Sequence, residues 1–392
     1  MSQTRVQALV KPELIRWARH SAGFDVAEAA KKAQVAPSRL EAWEEGTQRP
    51  TVKQLRRLGN AYRRPLALFY LPDPPEDFKP MHDFRRLPTG GEHPLSAALM
   101  FEIRAAQQRR ELALELAGMV AIEPETPSLR ISFGTDPEVH GPAVRAYLGV
   151  TDTEQGNWGG PYEAFNAWRQ RLESRGVLVF QAAGIDVAEM RGFSIDQSPF
   201  PAIVLNIKDS PRARCFTLVH EFVHIMLGAG GLCDLQVASG SPSHDDRIEI
   251  FCNHVAGATL VPKESLLAHP VVAGKTRHHE WSVTELATLA KRYGVSHEVI
   301  LRRLLIMGLT TDGFYRRRRE ELQDQYAAYR KPANEGYAPP HMLALARAGR
   351  RFTRLVLENY AQDTITASDV SDMLALRLKH LEKVEMEIRS WS

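Results

Sequence analysis

Cysteine is scarce and unpaired by pattern. The chain of 392 residues holds three, Cys215, Cys233 and Cys252, odd in number and forming no CxxC. That excludes a disulfide framework and reads as reduced cytosolic thiols. Long apolar runs are missing as well. No stretch approaches the ~18 consecutive apolar residues of a membrane-spanning helix, so no membrane partner is expected. The opening MSQTRVQALVKPELIRW returns to charge before an apolar core of signal-peptide length can form, which predicts a cytoplasmic location. Fixed-period repeats and low-complexity tracts are absent, excluding solenoids and collagen-like chains. The net charge is only +3, so the chain as a whole is not a polycation.

What is present is an ordinary globular composition, 44% apolar and 25% charged, with length for two to four domains at roughly 100–200 residues each. The charge is unevenly spread. The first 64 residues carry 13 Lys/Arg against 6 Asp/Glu, a balance of +7 that leaves −4 for the remainder. A basic front end of this kind expects an anionic partner, double-stranded DNA above all.

Residues 9–70 read as four short helices. Pro12 begins one that ends near Gly23; Asp25 caps Val26–Ala33; Pro37 opens a third that stops before Gly46; Thr51 opens a fourth through Leu55, Leu58 and Tyr62. Residues 71–160 read as a Pro-rich linker (71–94, six prolines) and a helical connector. Residues 97–120 are helical with Leu99, Ile103, Leu112 and Leu116 on a stripe, and 121–160 are too broken by Pro and Gly to assign. From 161 to 270 the pattern turns mixed. A helix (Ala164–Ser174) precedes strand-like Val177–Phe180, Met190–Ile195 and Ala202–Asn206. Ser210 then caps and Pro211 starts a helix running to Leu227 before Gly228, and another runs from Arg247 to Leu260, stopped by Pro262. Residues 271–392 read as a helical C-terminal region with a helix-turn-helix-like segment at 283–310 and breaks at Pro339–Pro340 and Thr364–Ser368. The expected fold class is α+β and mostly helical: an all-α front domain, an α+β domain with a small sheet, and a helical C-terminal region.

Inside the Ser210-capped helix stands His220-Glu221-Phe222-Val223-His224, an HExxH. One turn separates the histidines, so both imidazoles leave the same face and can hold one Zn²⁺ at about 2.0–2.1 Å. Glu221 is rotated by about 100° from His220, beside the ion and not on it, where it can act as the base for an attacking water. A catalytic zinc needs a third protein ligand. The downstream candidates are Asp234, His244, Asp245, Asp246, Glu249 and His254. Glu249 is favoured because it opens a helix on which Asn253, at i+4, can orient its carboxylate. His254 is a further candidate for steadying a tetrahedral oxyanion. Mn²⁺ could stand in place of zinc.

HEFVH followed by E-x-x-C-N-H-V-A-x-x-x-L-V-P resembles the ImmA/IrrE metallopeptidases over about residues 160–310. The resemblance implies a zincin-like peptidase domain with His220, His224 and Glu249 as zinc ligands and Glu221 as catalytic base. Cys252, Val255, Thr259 and Val261 depart from the family's small and apolar preferences at packing positions. It further implies a narrow protein substrate, a helix-turn-helix repressor or an antitoxin-like partner, cut to relieve repression under stress or in mobile-element control.

Residues 12–65 resemble the Xre/Cro-type helix-turn-helix. The resemblance is carried by Ala29-Ala30, Val35-Ala36-Pro37-Ser38, Leu40 to Gly46, Arg49-Pro50-Thr51 and Leu55, Leu58, Ala61-Tyr62. It implies a third helix in the major groove with Ser38 and Arg39 at base edges, and Lys31, Lys32, Arg49 and Lys53 at phosphates. Trp43 is expected in the core. Asp25, where the family often carries a polar contact residue, would repel phosphate. A homodimer is expected only because such modules usually bind two half-sites. The stretch Leu286–Leu304 repeats the spacing and is read as structural or substrate-facing in preference to a second DNA reader, and Arg316–Arg319 as a solvated surface in preference to a nucleic-acid contact. Joined, the modules predict a DNA-binding transcriptional regulator carrying a zinc endopeptidase. The alternatives are a non-catalytic transcription factor whose zinc domain senses a ligand, or an antitoxin whose C-terminal part masks a toxin.

Overall fold

The computed structural model describes residues 6–75, 95–228, 244–328 and 338–390. Residues 76–94 of the proline-rich stretch and residues 229–243, with Cys233 and the ligand candidate Asp234, lie outside the described residues. These residues divide into two units between Ala105 and Ala106.

The first unit is all helical: α1 (Pro12–His20), α2 (Val26–Ala33), α3 (Pro37–Glu44) and α4 (Val52–Tyr62), then a short 3₁₀ turn, Leu66–Tyr70. The predicted boundaries hold because the caps are local. Asp25 and Thr51 each form a reciprocal capping box, with Glu28 and Gln54. Ala29 and Ala30 are fully buried, as close helix approach requires, and Trp43 is 2% exposed, in the core. One feature escaped the sequence pattern. Arg19 on α1 and Glu44 on α3 form a buried ion pair, with Nε and Nη2 each 2.8 Å from a carboxylate oxygen. It ties the third helix to the first.

Helix α5 (Ala97–Met119) contributes its first residues to this unit and its later ones to the second. The unassigned stretch 121–160 in fact holds α6 (Pro137–Leu148) and α7 (Asp152–Asn157), followed by α8 (Pro161–Glu173). Strands β1 (Leu178–Ala182), β2 (Gly192–Ile195) and β3 (Ala202–Asn206) make one sheet in the order β1-β3-β2, β1 parallel and β2 antiparallel to β3. Every strand residue is buried, so the strands read as continuous apolar runs and not as alternation. Successive side chains still part to opposite faces. Val179, Ile203 and Leu205 join a core with Leu218, Val219 and Phe222 of α9 (Pro211–Leu227). Phe180 meets Phe352 edge-on.

Next come α10 (His244–Leu260), starting one turn earlier than expected, and α11 (Lys263–Ala268). The helix-turn-helix-like pair follows as α12 (Val283–Tyr293) and α13 (His297–Ile306), then α14 (Asp312–Ala328). Helix α13 packs against α10 and α14. Glu298 pairs with Arg319, and Arg302 reaches the Tyr315 hydroxyl, so this helix is a packing element. In the arginine run, Arg317 pairs with Glu280, Arg318 with Glu321 and Arg319 with Glu298. The C-terminal helices are α15 (Pro340–Ala348), α16 (Arg350–Ala361), α17 (Ala367–Met373) and α18 (Leu381–Arg389). Both α15 and α16 pack on β1, covering sheet surface that would otherwise face water.

Candidate metal centre and DNA-binding face

Helix α9 is built to carry a buried polar face. Ser210 accepts from the Ala213 amide, Pro211 takes the first turn, and Gly228 ends the helix at φ 68°. Leu218, Val219, Phe222 and Val223 lock it into the core. His220 and His224 are thereby fully buried. Helix α10 brings Glu249, 3% exposed, against them from the other side.

The three donors converge. His220 Nε2 and His224 Nε2 lie 3.1 Å apart. Glu249 Oε2 is 3.3 Å from the first and Oε1 3.2 Å from the second. A tetrahedral ion with bonds of about 2.0–2.1 Å needs ligand atoms about 3.3–3.4 Å apart, so the spacing fits. Both Glu249 oxygens are buried without a hydrogen-bond partner, an arrangement costly to keep unless a cation completes it. Among the described residues this is the one group of His, Cys, Asp or Glu side chains placed to hold an ion.

Glu221 is 1% exposed and sits beside the cluster. Burial pushes its carboxyl above the usual range, against the two imidazoles and Ser194, which favour the charged form. Burial acts on Glu249 too, but the His220 and His224 imidazoles outweigh it and hold this carboxyl at about 2. Strand β2 supplies the near wall. A Cβ on Gly192 would stand 2.5 Å from Thr217 Cγ2, so only glycine lets the strand lie this close to α9, where Glu221 Oε1 is 3.4 Å from the same point. Glycine inside a strand signals such an approach in sequence; Gly192 and Ser194 were missed because nothing local says what approaches. Cys252 is buried against His224, and burial raises its thiol.

One expected role needs correction. Asn253 is buried as its place near Glu249 predicts, yet it makes no hydrogen bond to that carboxylate, and its own Nδ2 has no partner. His254 Nε2 is held by Glu138 of α6, which also takes the buried Arg303 guanidinium. Position 254 lies about 140° around the helix from 249, which turns it toward α6. The remaining ligand candidates stay at the start of α10: His244 packs against the Phe133 ring, and Asp245 and Asp246 occupy the first turn.

In the first unit, Ser38 and Arg39 are exposed on the first turn of α3, and Lys31, Arg49 and Lys53 are exposed beside it. Lys32 is exposed as well, but its ammonium lies over the Phe24 ring at 5.2 Å.

Residues 13–69 match the model of a helix-turn-helix domain, and residues 172–305 match the peptidase M78 model, described as the IrrE N-terminal-like domain. The chain carries both domains. No curated protein matches it. The IrrE-like domain holds β1 to β3, α9 and α10, and so the whole of the His220, His224 and Glu249 cluster.

Two outcomes follow for the IrrE-like domain. Replacing Glu249 by Ala is expected to weaken zinc binding more than about 100-fold, since loss of supporting partners alone costs 10–100-fold; titration of metal-free protein against a competing chelator measures it. Replacing Glu221 by Gln acts on the metal-free fold with the opposite sign. Glu221's folded pKa is raised, so wild type loses stability as pH climbs from the unfolded value of about 4.3 through the folded one. Gln carries no such penalty. The metal-free variant should match or exceed wild type at pH 7 in urea melts, the gap closing on acidification to about pH 4.

Proposed function

We propose that the chain is a cytoplasmic DNA-binding regulator whose IrrE-like domain is a zinc-dependent endopeptidase acting on a DNA-binding repressor or antitoxin-type protein. The observation that carries this is the spacing of His220, His224 and Glu249, which suits one tetrahedral ion, with Glu221 buried alongside. These three residues would hold zinc, or manganese in its place. When bound, the ion supplies Lewis-acid polarisation of the scissile carbonyl and activation of water. The chain's own residues do the rest. Glu221 takes the proton of the attacking water and returns it to the leaving amine. Gly192 keeps β2 close enough to exclude solvent from the carboxylate. The helix-turn-helix domain holds the chain near a substrate that also occupies DNA, raising their effective concentration.

The test uses the full chain, loaded with zinc, and the helix-turn-helix proteins encoded beside its own gene. A discrete internal cut that a chelator abolishes and added zinc restores is the expected result. No cut in any of them, with the metal shown to be bound, overturns the peptidase reading. The DNA arm is tested separately. Arg39→Ala should relax base preference, by about 1–3 kcal/mol at one position, whereas Lys53→Ala should weaken all sequences alike and reduce the salt slope by about 1. Equal loss on all sequences for Arg39→Ala would show that it reads no base.

A further inference from the structure

A cavity opens at the N-terminal end of α9, lined by none of the residues of the His220, His224 and Glu249 cluster. It encloses about 130 Å³ and is walled by Trp158, Pro161 and Ala164 on one hand and by Gln155, Arg212 and Lys291 on the other. Neither Arg212 nor Lys291 has an acidic partner among the described residues. Arg212 Nε is buried with no hydrogen-bond partner at all. Gln155 in the lining is held by Arg145 and by the Leu260 and Tyr293 carbonyls, and Glu163 Oε2 accepts from the Gly159 amide.

The charge is also out of place for its helix. Arg212 stands in the first turn of α9, which contains no acidic residue, so a cation faces the positive end of the helix dipole. His297 lies close by, held toward its neutral form by burial and by the Arg212 and Arg318 charges. Helix α8 begins at Gly160 without any side-chain cap. An anion in the cavity would meet Arg212 through charge-assisted hydrogen bonds and relieve each of these conflicts at once. The volume sets the size. The space open to the centre of a water is about 130 Å³, against the roughly 10–15 Å³ that one water needs, which is room for a small organic molecule. The apolar wall adds a preference for an aliphatic or flat flank over a bare inorganic ion.

We propose that this cavity binds a small organic carboxylate, with its oxygens at Arg212 and Lys291 and a short apolar chain against Trp158 and Pro161. The proposal does not depend on the peptidase reading.

The test titrates the full chain with butyrate, acetate and inorganic phosphate at fixed ionic strength, read by calorimetry and by tryptophan fluorescence. Butyrate is expected to saturate and to bind roughly tenfold tighter than acetate, two methylenes at about 0.8 kcal/mol each, and tighter than phosphate. Arg212→Gln should weaken it at least about tenfold. Gly160→Leu keeps every charge but fills the space: its backbone is extended at φ 178° and an added Cβ meets nothing within 4 Å. That variant should lose butyrate while melting like wild type, which guards against an Arg212→Gln protein that fails to fold. Trp158→Phe should remove the fluorescence response. Absence of saturable binding, or binding unchanged in Gly160→Leu, overturns the site; phosphate binding as tightly as butyrate overturns the carboxylate assignment.

Discussion

Replacing Glu221 by Gln is expected to lower peptide hydrolysis by about 10²–10⁴-fold, the usual contribution of a positioned general base, while bound zinc stays at one per chain. Gln keeps the shape of Glu, so the close packing of Gly192 and Thr217 around position 221 is preserved. It loses only the capacity to accept a proton. His220, His224 and Glu249 are untouched, and their mutual spacing of 3.1–3.3 Å does not involve the side chain at 221. The measurement is kcat on the mapped cleavage site, with metal content determined on the same sample. A variant that cuts at the wild-type rate with full metal would show that another group takes the proton. A variant that loses both metal and activity would show instead that Glu221 supports the cluster structurally.

The second large effect is expected far from the metal, where the C-terminal helices join the sheet. Arg169 and Glu173 of α8 are both buried. Glu173 Oε1 accepts the Arg350 amide at 2.8 Å, and Arg169 Nη2 donates to the Val179 carbonyl at 2.7 Å. Burial raises the Glu173 carboxyl and lowers the Arg169 guanidinium, each opposed by the other's charge. Gly349 lies in the middle with φ 78°, and a Cβ there would stand 2.6 Å from the Val179 oxygen. Removing one member of a buried charge pair costs about 3–5 kcal/mol. Glu173→Ala should therefore destabilise the second unit by that amount in urea melts, and Gly349→Ala by a similar order through strain and collision. Hydrogen exchange should show α15 to α18 opening first. Wild-type stability in Gly349→Ala would mean that the chain can retreat from β1 at little cost.

The extent to which the sequence disclosed this molecule follows the range of the forces involved. Helix α9 was legible end to end, because Ser210, Pro211 and Gly228 act on their own neighbours. The cluster of His220, His224 and Glu249 was legible because the histidines are one turn apart and the acid lies on a helix with its own stop at Pro262. Helix α6 was not. Gly141 and Pro142 sit inside it and argue against a helix. Gly141 is there because a Cβ would lie 2.6 Å from Ala258 of α10, a contact that no local pattern announces. The contact of His254 was out of reach for the same reason, since Glu138 and the Arg303 that shares it lie on two other helices. Ser38, Arg39 and the lysines are exposed as expected, but Lys32's lean onto Phe24 depends on the tertiary arrangement.

His220, His224 and Glu249 stand at the spacing that a tetrahedral ion needs. Intrinsic affinity for two imidazoles and a carboxylate peaks at copper in the Irving–Williams order, so geometry and supply have to favour any weaker binder. Tetrahedral spacing works against the square-planar preference of Cu(II). Discrimination between the two ions would then be written into the backbone, in the fixed separation of α9 and α10, and not in the chemistry of the donors.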